Sequence, residues 1–239
     1  MKTLFFSDLH LDDSRPEAFD WLQSLLEGPA RSADAVYVLG DLFEYWIGDD
    51  AVSPLAARFA DLAAALGRSG VSVHFQHGNR DFLLGEDFAR RAGMRLMPEA
   101  QVVDLYGTPT LLMHGDSLCT DDTVYQAFRA QSRNPAWQAA VLARPVAERI
   151  AMAKEARTAS AEHTGNASME IMDVNEAAVQ QAFAEHDVHR MIHGHTHRPA
   201  THRHGLPDGS TATRIVLADW YDRGSYLEVT PGGVVSREL

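Results

Sequence analysis

The chain has 239 residues, 45% of them hydrophobic and 23% charged, and a formal charge of −12. Such a composition belongs to a globular chain that buries a full core, not to a disordered or fibrous one. The negative charge argues against sequence-independent nucleic-acid binding, and apolar stretches of about six residues are far short of the about 20 that cross a bilayer.

Leu4-Phe5-Phe6 reads as a first strand, stopped by Asp8-Leu9-His10. A helical pattern over Pro16–Glu27 follows, then a strand over Val36-Tyr37-Val38-Leu39 that runs into Gly40-Asp41. A second helix spans Pro54–Leu66, and a strand from Val71 to Phe75 leads to Gly78-Asn79-Arg80-Asp81. Leu111-Leu112-Met113 precedes His114-Gly115-Asp116, and a third helix covers Asn175–His186. Met191-Ile192 then runs into His193-Gly194-His195-Thr196-His197. Strands alternating with helices predict an α/β layered fold, in which ligands gather at the carboxyl ends of strands.

Thr123–Arg157 departs from the rest. It carries six basic residues (Arg129, Arg133, Arg144, Arg149, Lys154 and Arg157) against Glu148 and Glu155. Tyr125, Phe128, Trp137, Val141, Leu142, Ile150 and Met152 share the segment, with breaks at Pro135 and Pro145. It reads as an inserted helical cap over 123–165 within a single domain of 1–239. Its apolar side, including Leu142 and Ile150, is expected to hold apolar ligand. Its exposed basic positions, such as Arg149 and Lys154, are expected to meet lipid phosphates.

Each polar cluster alone has a plain structural reading. A lone Asp after a strand is a turn carboxylate, Gly-Asn is a turn, and a lone His is a hydrogen-bonded core residue. Five clusters, each at a strand end, instead supply carboxylate, imidazole and amide donors for two bridged divalent cations. Asp8 and His10, two apart, share a side if the backbone there is extended. His195 and His197 repeat the spacing, Asp41 suits a bridge, Asn79 is a neutral oxygen donor and His114 adds a nitrogen. A nitrogen and oxygen set without thiolate suits Mn²⁺, with Fe²⁺, Co²⁺ or catalytic Zn²⁺ as other occupants. Asp81 and Asp116 are candidates for orienting the imidazoles. The single cysteine, Cys119, reads as an inert buried thiol; with charge already at Lys2, it leads to the expectation of a cytoplasmic protein.

Asp-x-His, Gly-Asp, Gly-Asn-Arg-Asp, a later His and Gly-His-x-His, in this order, resemble the motifs of the calcineurin-like metallophosphoesterases. The longer strings Gly40–Asp50, Gly78–Gly85, His114–Asp122, Ile171–Asn175 and His193–Pro199 are similar to the branch acting on UDP-2,3-diacylglucosamine in lipid A biosynthesis. The resemblance implies a four-layer αββα sandwich with a helical lid and two Mn²⁺ ions. It implies metal-activated water attacking the α-phosphorus, giving UMP and 2,3-diacylglucosamine 1-phosphate (lipid X). One ion would take Asp8, His10, Asp41 and His197, and the other Asp41, Asn79, His114 and His195. Asn79, Arg80, Asp122, Ser160 and His195 would meet the substrate, with Asp41, Asn79, Arg80 and His195 carrying the chemistry. Thr164 and Ala167 stand where the family has a substrate-touching Asn and Lys; Thr164 can still donate a hydrogen bond. A peripheral seat on the cytoplasmic face of the inner membrane is also implied, with no nucleic acid and no obligate protein partner. The alternatives are a generic phosphodiesterase or phosphatase of this family, which needs no apolar cap, and a catalytically silent scaffold, which need not keep all seven ligands.

Overall fold

The computed structural model describes residues 1–166 and 173–239, and for 161 and 163–166 the backbone alone. The apolar runs form β1 (Thr3–Phe6), β2 (Ala35–Leu39) and β3 (Ser72–Gln76), separated by α1 (Pro16–Glu27) and α2 (Pro54–Arg68). A short α3 (Glu86–Arg91) leads to β4 (Met94–Leu96), then β5 (Ala100–Asp104) and β6 (Pro109–Met113). Three helices follow: α4 (Thr123–Ser132), α5 (Pro135–Leu142) and α6 (Val146–Asn166). After α7 (Glu176–His186) come β7 (Arg190–His193), β8 (Ala200–Gly205), β9 (Thr211–Val216), β10 (Ser225–Thr230) and β11 (Gly233–Glu238).

The first sheet has the order β11-β10-β1-β2-β3-β4, the second β5-β6-β7-β9-β8. Strands β1 to β4 run parallel, as do β6, β7 and β9, while β10, β11, β5 and β8 pair antiparallel at the flanks. Alternation along each strand sorts side chains into three layers of core. Leu4, Phe6, Val36, Val38, Val73 and Phe75 face α1, α2 and α3. Phe5 and Leu39 turn the other way, against Leu112, Ile192 and Ile215 of the second sheet. Leu111, Met113 and Met191 pack on Val179 and Phe183 of α7. Both sheets are thus buried on both faces, which is why their central strands read as unbroken apolar runs. The result is helices, sheet, sheet, helix: the four-layer αββα arrangement.

The cap helices break where proline dictates. Asn134 caps α5 through Oδ1, with Pro135 in its first turn, and α6 starts just after Pro145. Most of the cap's basic residues are paired rather than forming a free face, contrary to expectation, although Lys154 is exposed as expected. Arg129 and Arg133 pair with Glu99, Arg157 with Glu44, and Arg149 with Asp50; Arg144 pairs within the cap with Glu148. Arg149 is only 3% exposed. It donates to Ile47 O, to Arg144 O and to Asp50 Oδ1, the last at 2.7 Å. Four of the six basic residues, Arg129, Arg133, Arg149 and Arg157, therefore fasten the cap to acidic residues outside it.

Candidate metal centre

All five polar clusters meet at the carboxyl ends of β1, β2, β3, β6 and β7. The backbone beyond β1 runs beside that beyond β2: Asp8 N–H donates to Gly40 O, His10 N–H to Asp41 O and Leu11 N–H to Leu42 O. This backbone is not extended, so strand alternation does not bring Asp8 and His10 together as expected. Asp8, His10, Asp41, His195 and His197 all have positive φ, between 48° and 67°. Non-glycine residues rarely adopt this region, and such strain gathers at functional sites.

The donor atoms converge in two groups around Asp41. In one, His10 Nε2 lies 3.3 Å from His197 Nε2 and 3.8 Å from Asp41 Oδ2, and His197 Nε2 lies 3.5 Å from Asp8 Oδ1. In the other, Asn79 Oδ1 is 2.9 Å from both His114 Nε2 and His195 Nδ1, and His114 Nε2 is 3.7 Å from Asp41 Oδ1. Donors about 2.1 Å from a common ion at tetrahedral or octahedral angles stand roughly 3–3.5 Å apart, so these separations suit a shared cation. The ligand atoms of Asp8, His10 and His197 all lie within 4.8 Å of one another, as do those of Asp8, Asp41 and His114, so Asp8 as well as Asp41 stands between the two groups. Two further observations fit a cation. Asp8 Oδ1 is buried with no hydrogen-bond partner among the described residues. His114 Nδ1 donates to Leu39 O at 2.8 Å, which leaves its Nε2 lone pair aimed into the cluster.

Electrostatics favour ligation. Burial opposes ionisation of Asp8, but the close His197 imidazole and those of His114 and His10 hold its carboxyl far below the ordinary range. Burial pushes His10 and His195 down to about 4, so both are neutral donors near pH 7. Burial also acts downward on His114 and His197, but Asp41 and Asp8 raise the first and Asp8 and Asp219 the second.

The outer contacts differ from expectation. Asp81 holds backbone rather than an imidazole, accepting from Leu42 N and Gly78 N at 2.8 Å. Burial and Asp41 push its carboxyl up to about 6. Asp116 accepts from Tyr125 Oη at 2.6 Å and Arg129 Nε at 2.9 Å, joining α4 to the His114 loop. Glu44 was not anticipated: its Oε2 stands 3.0 Å from His10 Nδ1, short of hydrogen-bond geometry, and it also pairs with Arg157 of the cap. Tyr221, likewise unexpected, stacks on His10 at 5.5 Å.

A cavity of about 340 Å³ opens from this cluster under the cap. Asn79, Arg80 and Ser160 lie along it, and Arg80 Nη2 donates to Ser160 Oγ at 3.3 Å. Buried Arg80 Nε has no hydrogen-bond partner among the described residues, a donor left for an anionic oxygen. The apolar wall comes from Trp46, Phe82, Phe128, Trp137, Val141 and Met152. Leu142 and Ile150, expected there, are not on it: Leu142 is exposed and Ile150 lines a separate groove beside Leu55. Asp122 caps α4 by accepting the Tyr125 N–H at 2.9 Å and is not on the cavity wall. The Thr164 side chain, Ala167 and Ile171-Met172 lie outside the described residues.

The model of the calcineurin-like phosphoesterases matches residues 1–199. A Stenotrophomonas maltophilia protein named UDP-2,3-diacylglucosamine hydrolase is 56% identical, over 98% of this chain and 96% of its own. Proteins of the same name from Xanthomonas oryzae pv. oryzae and Xanthomonas campestris pv. campestris are 52% and 50% identical, over 98% and 100% of this chain and 97% and 99% of theirs. Strand-end ligands, two donor groups meeting at shared carboxylates and this likeness along nearly the whole length agree: the chain belongs to the calcineurin-like phosphoesterases.

Proposed function

We propose that this chain hydrolyses the pyrophosphate bond of UDP-2,3-diacylglucosamine to UMP and 2,3-diacylglucosamine 1-phosphate, with two Mn²⁺ ions. The relatives' shared name supports the substrate. The observation that carries the reading is the continuity of an apolar cavity with the donor cluster through Asn79 and Arg80. Acyl chains would lie against Trp46, Phe82, Phe128, Trp137 and Met152, which places the phosphates at the cluster.

One ion belongs with Asp8, His10, Asp41 and His197, the other with Asp41, Asn79, His114 and His195. When bound, two such cations neutralise transferring phosphoryl charge and lower the pKa of water. Arg80 supplies a planar donor to the phosphates, its backbone held by Asp41 Oδ1 at 2.8 Å. Ser160 orients that guanidinium, and His195 completes the polar end. Substrate contacts at Asp122 and Thr164 belong to the same proposal, as do the single domain of 1–239 and the lid over 123–165. A peripheral seat on the cytoplasmic face of the inner membrane is supported by exposed Tyr45, Val124 and Phe128 at the cavity mouth rather than by the paired arginines.

Hydrolysis of the lipid nucleotide in ¹⁸O-water tests this. UMP carrying the label is expected. Label in the sugar 1-phosphate would contradict attack at the α-phosphorus, and no UMP at all would leave a generic phosphodiesterase or a silent scaffold.

A further inference from the structure

Behind the donor cluster, a buried run of polar side chains links the surface of α7 to the loop after β7. His204 Nδ1 lies 2.8 Å from Glu176 Oε1, and Arg214 Nε lies 3.2 Å from His204 Nε2. Arg214 Nη1 lies 3.0 Å from His193 Nε2, and His193 Nδ1 lies 2.9 Å from Gly194 O. His193, His204 and Arg214 are all buried. A guanidinium only donates. Both imidazole Nε2 atoms facing Arg214 must therefore accept, and both Nδ1 atoms carry hydrogen. Every bond then has one direction: Arg214 donates to both histidines, His204 donates to Glu176, and His193 donates to the Gly194 carbonyl.

That carbonyl has a second duty. It accepts the Thr196 N–H at 2.8 Å, closing a three-residue turn around His195, whose φ is 67°. A γ-turn with positive φ at its centre is rare and strained. It is also the turn that aims His195 Nδ1 at Asn79. Gly194 has no side chain with which to hold it, because a Cβ there would collide with Asp8 Oδ2 and Ser7. The turn's N–H groups are held from outside, Gly194 N–H by His114 O at 2.8 Å and His195 N–H by Asp8 Oδ2 at 2.9 Å, and its carbonyl by His193.

We propose that Arg214, acting through His193, is a positioning residue for the metal ligand His195: the run Glu176–His204–Arg214–His193 locks the Gly194 carbonyl and so holds the strained turn in its ligating shape. The proposal rests on the two-ion reading above. Carboxylate-to-imidazole contacts beyond a metal's own ligands typically change affinity by about 10–100-fold, and this run is a longer form of the same device.

The test compares Arg214→Met, which keeps an unbranched apolar stem without donors, with Arg214→Lys, whose ammonium can reach one imidazole but not span both. Mn²⁺ binding is titrated calorimetrically, well below each variant's melting temperature. Imidazole tautomers are read from ¹⁵N spectra of the metal-free full chain. In Arg214→Met, one Mn²⁺ should bind about 10–100-fold more weakly, with kcat lowered and KM within twofold. The His193 Nδ1–H tautomer should lose its dominance, and Arg214→Lys should be intermediate in all three. A merely structural role would lower the melting temperature and leave affinity and tautomer unchanged, and that result overturns the proposal. If Arg214→Met does not fold, wild-type affinity and tautomer in Arg214→Lys do the same. Wild-type protein that binds no Mn²⁺ would instead refute the two-ion reading, so the two failures are distinct.

Discussion

Gly78→Ala asks whether the bridging position of Asp41 depends on a single missing methyl. Gly78 is not in the left-handed region, so alanine brings no backbone strain of its own. The added Cβ would stand 2.8 Å from Asp41 Cγ and nearer still to its Oδ1 and to its backbone N. Carbon atoms settle about 3.5–4 Å apart, so something must retreat by roughly 1 Å. The Gly78 backbone is poorly placed to do so: Asp81 Oδ1 holds its N–H at 2.8 Å and Arg133 Nη2 its carbonyl at 3.0 Å. The Asp41 backbone and its carboxylate are therefore expected to move together. Overpacking of this kind costs about 1–3 kcal/mol. At roughly 2–4 °C per kcal/mol for a chain of this size, the metal-free protein should melt roughly 2–12 °C lower. A displacement near 1 Å at the shared ligand should also lower turnover about 10²-fold. Calorimetric Mn²⁺ titration and UMP release measure the two effects. If both ions bind with wild-type affinity and turnover stays within a few-fold, Asp41 is not the bridge.

Asp41→Ala should weaken both ions, whereas His197→Ala should weaken mainly one; equal stoichiometry in the two variants, read by metal analysis after dialysis, would contradict the assignment. Glu44→Gln should weaken one ion about 10–100-fold and loosen the cap, seen as faster proteolysis within α4–α6. Mn²⁺ uptake should release protons at pH 6, because His114 and His197, held above the ordinary 6.5 by Asp41 and Asp8, must deprotonate to ligate, while His10 and His195 at about 4 are already neutral. Affinity should therefore fall as pH drops through the raised values, and calorimetry in two buffers of different ionisation enthalpy counts the protons. Met152→Asp or Trp137→Asp should raise KM for the diacylated nucleotide at least tenfold, and Lys154→Glu should not. Cys119, buried and pushed up to about 12 by burial and Asp116, should resist iodoacetamide at pH 8 until the chain is denatured.

The central strands were legible because both of their faces are buried, so Leu4-Phe5-Phe6 and Leu111-Leu112-Met113 read as apolar runs stopped by polar ligands. The flanking strands were not. In β8 only His204 is buried, and β11 is almost wholly exposed, so neither shows an apolar run. At six residues, α3 is too short for helical periodicity to register. The seven candidate ligand positions could be read because their types and order are local. Arg149 could not: its partners Ile47 and Asp50 are about a hundred positions away, and on its own helix it looks like any solvated arginine. Glu44 was hidden for the same reason, its two partners lying on the loop after β1 and on the cap.

The left-handed backbone at Asp8, His10, Asp41, His195 and His197 sets two demands against each other at every one of these positions. The conformation favours glycine, yet only a residue with a side chain can ligate. Each costs about 1–2 kcal/mol over an ordinary conformation, so five together approach the whole net stability of a typical domain, about 5–15 kcal/mol. Exchanging a ligand for glycine should then leave a sturdier protein than exchanging it for alanine, although both lose the ligand. The same reasoning makes bound cations part of the folded state's stability as well as its chemistry, because they compensate a backbone that the rest of the chain would not otherwise choose.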